Sequence, residues 1–390
     1  MKILVVHNIY KPYYRGGAEV VAVNLVEGIK DKGDEPVVIS LGYQDKTETI
    51  EGVKVYRIKP FNIFNYLDIG SKPFYLRCFF HLIDIFNDVG PRKVLKIVKE
   101  EKPDFIFLQG IKGFGYVLPR LLEFYGFKLA LRIFDMQFIH PSGLLPKNKK
   151  SLLVKLYIFF IKPLLGNPRS VISPSQFVAG VYRDLGFFKK SKISIIPNPL
   201  PAQKNDLLVE REESDNKLNF LFLGQVEKYK GLDDLITALK EVKGDFILHV
   251  LGEGSDLNEA KRLALDDKRI VFYGRLDRER LIREIWPKID LLINPSLVEE
   301  TFGMVIIEAY ANGVPVIASE IGALKEIVKE NQTGWLFRPG DVCHLRYKLQ
   351  EIVDKKIDLI PMKENCLKEA EKFSLANYLS KLYELFFESR

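Results

Sequence analysis

Glutamates and a glycine lie close together in the stretch DLLINPSLVEETFGMVIIEAYANGVPVIAS, residues 290–319. Its apolar start predicts a strand, a loop carrying Glu300 follows, and Gly303 opens a predicted helix. Backbone amides at a helix start lack intrahelical partners, and together with the helix dipole they suit a diphosphate. Because glycine has no Cβ, an anion can approach this backbone closely. The pattern predicts an anion site at the amides of Gly303, Met304 and Val305.

The carboxylates of Glu300 and Glu308 are eight residues apart in the sequence. On one continuous helix they would point about 80° apart, because a helix has 3.6 residues per turn. The spacing therefore favours Glu300 in the loop and Glu308 at least one turn into the helix. Carboxylates accept hydrogen bonds from sugar hydroxyls, so the pair could hold two different parts of one hydroxyl-rich ligand.

Two further segments could contribute chemistry. The first is GQVEKYKG, residues 224–231, in which Lys230 offers a compact ammonium charge for phosphate oxygens. Taken alone, Lys230 could equally be a surface lysine. The second is PYYRGGAE, residues 12–19, in which Gly17 belongs to a Gly-Gly loop between the first strand and the first helix. This loop is not the G-x-G-x-x-G fingerprint, which argues against a dinucleotide-dependent oxidoreductase.

Short apolar strands alternate with helical segments along the whole chain, which predicts parallel, doubly wound α/β sheets. This alternation of strands and helices is interrupted by a polar stretch, residues 201–217, and then resumes. We therefore expect a first domain at 1–203, a second at 204–365, and a C-terminal helix at 366–390 that packs back toward the first. Ligands of such folds bind at the carboxyl ends of the strands.

The composition of the chain argues against several classes of function. A formal net charge of +7 suits acidic ligands, but the charge is too diffuse to indicate nucleic-acid binding. The cysteines Cys78, Cys343 and Cys366 form no C-x-x-C pair, so we expect neither a metal site nor a disulfide framework. No signal peptide or spanning helix is recognisable, which leads us to expect a cytoplasmic protein.

The 290–319 segment resembles the E-x7-E signature of the retaining glycosyltransferases called group 1 or family 4. Members usually show a strand, Pro-Ser, Glu-Gly-Phe-Gly, a second Glu and Gly-x-Pro-Val. This chain has, in that register, Pro295, Ser296, Glu300, Phe302, Gly303, Glu308, Gly313, Pro315 and Val316. Thr301 replaces the usual Gly. The resemblance implies a GT-B fold, in which two Rossmann-like doubly wound domains face a central cleft.

The resemblance also implies roles at the donor site. Glu300 would contact the donor sugar, and Glu308 would bind the ribose of the nucleotide. The amides of residues 303–305 would hold the diphosphate, and Gln225, Thr301 and Phe302 are further donor-binding candidates. In the first domain, the family's N-terminal Gly-Gly-Ala-Glu loop approaches the transferred sugar and the acceptor, and Gly17 stands in that position.

Two departures from the family pattern affect the expected catalytic residues. Lys230 matches the lysine that neutralises the diphosphate leaving group, but Gln225 stands where an arginine usually does. Lys230 would then carry more of the leaving-group charge. Asp135 matches the aspartate of a His-Asp pair near the sugar, while Phe134 occupies the histidine position. His140 is the nearest candidate to replace that histidine.

These features together predict transfer of a sugar, with retention of configuration, from a UDP- or GDP-sugar to a glycan or a lipid-linked acceptor. The resemblance implies no bound cofactor and no metal. Two alternatives stay open: a sucrose- or trehalose-type synthase that acts on small sugars, and a catalytically silent protein that binds nucleotide sugars. The silent protein is suggested by Gln225 and Phe134.

Two segments are rich in aromatic and aliphatic residues. They are FNIFNYLDIGSKPFYLRCFFHLIDIF at residues 61–86 and LLVKLYIFFIKPLL at residues 152–165, each with interspersed basic residues. Such segments can seat a peripheral protein on a bilayer. They could equally be helices that pack inside the first domain.

Overall fold

The computed structural model describes residues 1–13, 17–146, 148–149, 151–200, 217–265, 267–354 and 357–388. The chain divides into two compact units. The first comprises Met1–Pro201 together with Leu375–Arg390, and the second is Ala202–Ser374. The predicted linker lies outside the described residues, apart from its last residue, Lys217.

The strands are β1 Lys2–His7, β2 Glu35–Leu41, β3 Lys46–Ile50, β4 Val53–Ile58, β5 Phe105–Gly110, β6 Leu129–Arg132, β7 Ser170–Ser173, β8 Lys192–Ile195, β9 Leu218–Leu223, β10 Phe246–Leu251, β11 Ile270–Gly274, β12 Leu291–Asn294, β13 Val316–Ser319 and β14 Gly334–Phe337. The helices are α1 Gly17–Asp31, α2 Phe74–Phe86, α3 Val89–Glu101, α4 Leu118–Phe124, α5 Leu152–Leu165, α6 Gln176–Asp184, α7 Leu232–Lys240, α8 Leu257–Leu263, α9 Arg278–Arg280, α10 Met304–Ala311, α11 Leu324–Ile327, α12 Val342–Val353, α13 Ile360–Glu371 and α14 Leu375–Glu388. Shorter helical turns lie at Tyr66–Ser71, Lys228–Lys230, Leu281–Ile285 and Trp286–Lys288.

In the first unit the described strands form an eight-stranded sheet in the order β3-β4-β2-β1-β5-β6-β7-β8. Every residue of β5 is buried, and so is nearly all of β1 and β2. Continuous apolar runs of this kind are typical of parallel strands covered on both faces. Helices supply that cover, and apolar clusters lie on the two sides of the sheet.

The sequence analysis did not predict the hairpin formed by β3 and β4. β3 and β4 pair antiparallel at the edge of the first sheet, joined by a turn in which Glu51 and Gly52 have positive φ angles of 52° and 79°. The alternating, mostly exposed residues of β3 lack the continuous apolar run that marks the buried parallel strands. A polar strand at a sheet edge is also protected against pairing with other chains.

The described strands of the second unit form a six-stranded sheet in the order β11-β10-β9-β12-β13-β14, with every neighbouring pair parallel. Its core joins the apolar sides of α7 and α12 to one face of the sheet. The predicted pair of doubly wound α/β sheets is therefore confirmed. Within the described residues, no helix is both long and apolar enough to cross a bilayer.

The C-terminal segment 366–390 differs from the single helix that we predicted. α13 packs on α10 in the second unit, and only α14 belongs to the first. The chain leaves helical geometry near Phe373, whose ring lies 5.8 Å from that of Phe302 in the second unit. This contact anchors the residues just after α13 to the second unit, and α14 begins at Leu375.

α14 completes one face of the first sheet. The ring of Phe386 lies 4.0 Å from that of Phe105 in β5. α14 also packs along α1, where a Cβ on Gly28 would lie 2.5 Å from Cδ1 of Leu379. Leu382 is fully buried in the same cluster. The last helix is therefore part of the core of the first unit.

We expect Leu382→Ala to lower the free energy of unfolding of the first unit by about 2–5 kcal/mol, because it leaves a cavity under α14. Hydrogen–deuterium exchange read by mass spectrometry should show lost protection in α1 and β5 and little change in residues 218–374. Lys381→Ala, at the exposed neighbouring position, is the control. Equal effects of the two substitutions would contradict this account of the packing.

Candidate functional site

Loops of the second unit meet beyond the carboxyl ends of β9 and β10. The amide of Gly224 donates to the carbonyl of Leu251 at 3.0 Å, and the amide of Val226 donates to that of Glu253 at 3.0 Å. Gly252 has a φ of 147°, and a Cβ there would lie only 1.7 Å from the carbonyl oxygen of Gly224. The two loops can therefore run side by side only with glycine at this position.

The turn that carries Lys230 is joined to the loop after β12. Gly231 ends this turn with a φ of 73°, and a Cβ on it would lie 2.0 Å from the carbonyl oxygen of Pro295. The amide of Leu297 donates to the carbonyl of Tyr229 at 2.8 Å. These contacts fix the position of the Lys230 backbone relative to the predicted anion site.

The backbone of Glu300 is held from the opposite direction. Its carbonyl accepts a hydrogen bond from the amide of Ala323 at 2.9 Å. Gly322, with a φ of 51°, allows the close approach, since a Cβ there would lie 2.3 Å from the same carbonyl oxygen. The loop with the predicted sugar contact is thus braced by the segment after β13.

Lys230 and Glu300 are brought together although they are 70 residues apart. The ammonium Nζ of Lys230 donates to Oε1 of Glu300 at 2.6 Å. About a quarter of the lysine side chain and a fifth of the glutamate side chain are exposed. The pair therefore combines a fixed geometry with access from solvent, which a binding site requires.

Tyr229 and Gln225 lie beside this pair. The Lys230 ammonium is 5.6 Å from the centre of the Tyr229 ring. The Tyr229 hydroxyl donates to Oε1 of Gln225 at 2.8 Å. Partial burial, followed by the charges of Glu227 and Glu300, raises the pKa of Tyr229, so it is a neutral phenol at neutral pH. Gln225 thus stands next to Lys230 without adding charge.

The helix start at Gly303 is the predicted anion site. Gly303 has a φ of 110° and is the N-cap residue of α10, so the cap position itself brings no side chain to the amides of the first turn. Met304 and Val305 are partly exposed in the first turn, as is Thr301 in the loop before it. The predicted diphosphate site therefore lies three residues after Glu300.

Phe302 has a different role from the one its position in the motif suggested. Its side chain is 4% exposed and packs edge-to-face on Phe373. The ring is committed to the core of the second unit. Only the backbone of Phe302 is left to contact a ligand at this site.

Glu308 lies in the second turn of α10, at least one turn inside the helix as the spacing required. Burial raises the pKa of its carboxyl, and the positive charge of Arg278 acts in the opposite direction. Sequence reasoning missed Arg278, which stands 30 residues away on α9. No sequence spacing indicates that Arg278 and Glu308 interact, because only the fold brings them close together.

Two of the predicted site residues, Asp135 and Gly17, lie in the first unit. Oδ1 of Asp135, just after β6, accepts the amide of Gln137 at 2.9 Å, and its backbone carbonyl accepts the Tyr182 hydroxyl at 2.8 Å. Burial raises the pKa of Asp135, opposed by the charge of Lys112. Gly17 is the exposed first residue of α1, and the preceding Gly16 lies outside the described residues.

The histidines near Asp135 are engaged within the first unit. Phe134 stacks on His7 with ring centres 6.4 Å apart. Burial lowers the pKa of His7 to about 4, so it is neutral at physiological pH. His140 pairs through Nδ1 with the hydroxyl of Ser142 at 2.7 Å. In the described parts of the chain, no three His, Cys, Asp or Glu side chains gather as metal ligands.

Two known family models match the chain. Residues 15–204 match the model described as Glycosyltransferase Family 4, and residues 204–373 match the model described as Glycosyl transferases group 1. The two matches are adjacent and together extend over both units. The second includes the Lys230 turn, Glu300 and Glu308.

Individual relatives are similar over different lengths. An uncharacterised 42.6 kDa protein in the cps region of Klebsiella pneumoniae is 27% identical over 98% of both chains. A lipopolysaccharide 1,6-galactosyltransferase of Escherichia coli K12 is 28% identical over 50% of this chain and 55% of its own. The solved structure of Anabaena Alr3699/HepE in complex with UDP covers both chains fully, with a TM-score of 0.72 and 19% identity. The last likeness concerns the fold alone.

We expect Glu308→Gln to raise the melting temperature of the ligand-free protein at pH 7–8. Burial raises the pKa of this carboxyl, so its ionised form destabilises the folded state above that pKa. As the pH falls through the raised pKa, the wild-type carboxyl becomes protonated and the advantage of the variant should shrink. Glu364→Gln, on an exposed position of α13, should show no such trend. A variant that is less stable at pH 8 would refute this explanation.

Proposed function

Because the chain belongs to the group 1 glycosyltransferases and has their GT-B fold, we propose that it transfers a sugar from a nucleoside-diphosphate sugar to a glycan or a lipid-linked acceptor. The observation that carries the proposal is the Lys230–Glu300 ion pair immediately before the open helix start at Gly303. A cation, a carboxylate and a set of helix amides within one site match the groups of a nucleotide sugar.

The helix amides and the two glutamates each bind a different part of the donor. The amides of Gly303, Met304 and Val305 hold the diphosphate, which the helix dipole favours. Glu308, one turn further along, accepts hydrogen bonds from the ribose hydroxyls. Glu300 accepts hydrogen bonds from the donor sugar.

The main catalytic contribution is electrostatic. When the bond between the sugar and the diphosphate breaks, negative charge develops on the phosphate oxygens. In the proposed complex Lys230 and the amides at the start of α10 face this charge, and because their backbone positions are fixed beforehand, little reorganisation accompanies the reaction. Gln225 brings no charge to the site, so Lys230 carries more of the stabilisation.

We propose that the reaction retains the configuration at the sugar. The acceptor hydroxyl attacks the anomeric carbon from the face that the diphosphate leaves, and a departing phosphate oxygen takes the hydroxyl proton. One bond to the anomeric carbon forms as the other breaks, and the proton ends on the nucleoside diphosphate. This route needs no protein base; Asp135 is proposed to contact the sugar on the acceptor side, and no metal is invoked.

Relatives suggest the class of donor and acceptor. Alr3699/HepE has been solved with UDP and with UDP-glucose. The Escherichia coli relative is named as a lipopolysaccharide galactosyltransferase. We therefore propose a UDP-hexose ahead of a GDP-hexose as donor, a lipid-linked glycan as acceptor, and the cytoplasm as the place of the reaction.

A catalytically silent nucleotide-sugar binder is the second candidate, and Gln225 is the observation that favours it. One screen of donors and acceptors distinguishes the main proposal from this silent binder and from a synthase that acts on small sugars. Donor hydrolysis without acceptor excludes the silent protein. Transfer to free sugars or sugar phosphates, without transfer to glycans, would identify a small-sugar synthase.

Glu308→Ala should weaken binding of the matching nucleoside diphosphate roughly 10- to 100-fold, the equivalent of losing a charged hydrogen bond of about 1.5–3 kcal/mol. A thermal-shift screen with UDP, GDP and ADP first identifies the base, because a nucleotide that binds the native state raises the melting temperature. Calorimetry then compares Glu308→Ala with Glu364→Ala. Unchanged affinity in Glu308→Ala would exclude the ribose contact.

Lys230→Met should lower kcat about 10²–10³-fold, as for the loss of one preorganised group that stabilises charge in a transition state. Lys228→Met, two residues earlier and exposed, should keep its activity. Initial rates with a saturating donor would show the difference. If both variants turn over at the wild-type rate, Lys230 does not stabilise the leaving group.

A further inference from the structure

α2 exposes an apolar stripe on the surface of the first unit. Tyr75, Phe79, Leu82 and Phe86 follow one another at spacings of four, three and four residues, which places them on one helix face. Each of these side chains is more than half exposed. The opposite face of the helix is represented by Phe80, which is fully buried. α2 is therefore apolar on the side that faces solvent as well as on the side that faces the core.

α5 repeats the pattern. Val154 and Ile158 pack into the core, while Leu152, Leu153 and Phe159 are at least 70% exposed. A helix that is apolar all round is normally covered on every side. Two helices of one unit thus share the same unexplained feature.

The two helices are neighbours on the surface. The ring of Phe86 on α2 packs edge-to-face on that of Phe160 on α5, with centres 5.7 Å apart. Phe160 is itself 5.4 Å from Phe159. Contact between these rings joins the two stripes into one surface, the α2–α5 patch, formed by the exposed side chains of Phe74, Tyr75, Phe79, Leu82, Phe86, Leu152, Leu153, Leu156, Phe159 and Phe160.

The exposed charges on α2 and α5 are positive, whereas Asp88, two residues beyond α2, is an exposed carboxylate that pairs with Arg92. Both helices are fully described, and their only carboxylate, Asp84, is buried. Arg77 on α2 and Lys155 on α5 are exposed beside the apolar stripes, and Lys149 is exposed just before α5. The patch therefore offers aromatic and aliphatic side chains with a cationic fringe.

We propose that the α2–α5 patch docks on an anionic phospholipid surface. A protein partner would need about one hydrogen bond per 100–200 Å² of interface. The patch supplies few, because its backbone amides beyond the first turns are used within the helices and Tyr75 is its only hydroxyl. A bilayer interface demands no directional bonds and rewards aromatic, aliphatic and basic side chains together.

The lengths of the helices define the mode of contact. α2 has 13 residues and α5 has 14, both short of the ~20 that a spanning helix needs. They lie flat against the interface, with the rings at the level of the lipid headgroups. This inference rests on the first unit alone, so it can fail while the proposed sugar transfer holds, and the reverse.

The test is cosedimentation of the full-length protein with phosphatidylcholine vesicles, with and without phosphatidylglycerol. The wild type should pellet with the anionic vesicles, and added salt should weaken binding because it screens the cationic fringe. Phe79→Glu combined with Phe159→Glu should lower the partition coefficient about tenfold or more, since it removes apolar contact and adds like charge. Both residues are exposed, so the melting temperature should be unchanged.

Tyr347→Glu is the matched control. Tyr347 is an aromatic residue on α12 of the second unit, 59% exposed against 57% for Phe79, and its substitution should leave vesicle binding intact. Absence of wild-type binding at low salt would overturn the proposal, as would equal binding by the double variant. Concentration-dependent self-association that the double variant abolishes, without vesicle binding, would identify a protein partner instead.

Discussion

The candidate site depends on close approach between backbones that only glycine permits. Gly252, Gly231 and Gly322 each lie against a carbonyl oxygen of another loop, at distances that would exclude any side chain. They hold together the loops after β9, β10, β12 and β13 and so place Lys230 against Glu300. The proposed chemistry therefore depends on residues that take no part in it, because an ammonium can stabilise a phosphate only from a fixed position.

Local pattern was enough to predict much of this protein. The buried parallel strands were evident from their apolar runs, and the loop position of Glu300 and helical position of Glu308 followed from spacing alone. Contacts that join distant segments were beyond such reasoning. Family resemblance assigned Lys230 and Glu300 to one donor site, but neither their ion pair nor the influence of Arg278 on Glu308 came from any sequence signal. Periodicity describes one element at a time, whereas these interactions belong to the packing of several.

The differences from prediction have physical causes of the same kind. Phe302 belongs to a ligand-binding motif, yet its ring is committed to Phe373, because a motif records which residues recur and not which atoms face the ligand. The segment 366–390, expected to be one helix, is divided between α13 and α14, which belong to different units. The apolar segments at α2 and α5 supported two interpretations, core packing or a bilayer surface. Both helices do pack in the core, and each keeps a second apolar face exposed.

α14 has a consequence for how the protein is made. The first unit holds residues from the start of the chain, but one face of its sheet is covered by residues 375–388. During synthesis from the N-terminus, β1 and β5 exist long before the helix that covers them, so an apolar surface stays uncovered while the whole second unit is translated. A domain that folds before its successors is the usual order for proteins of several domains. Here the first unit cannot be completed until its last helix, α14, has been synthesised. The second unit can therefore fold before the first is complete.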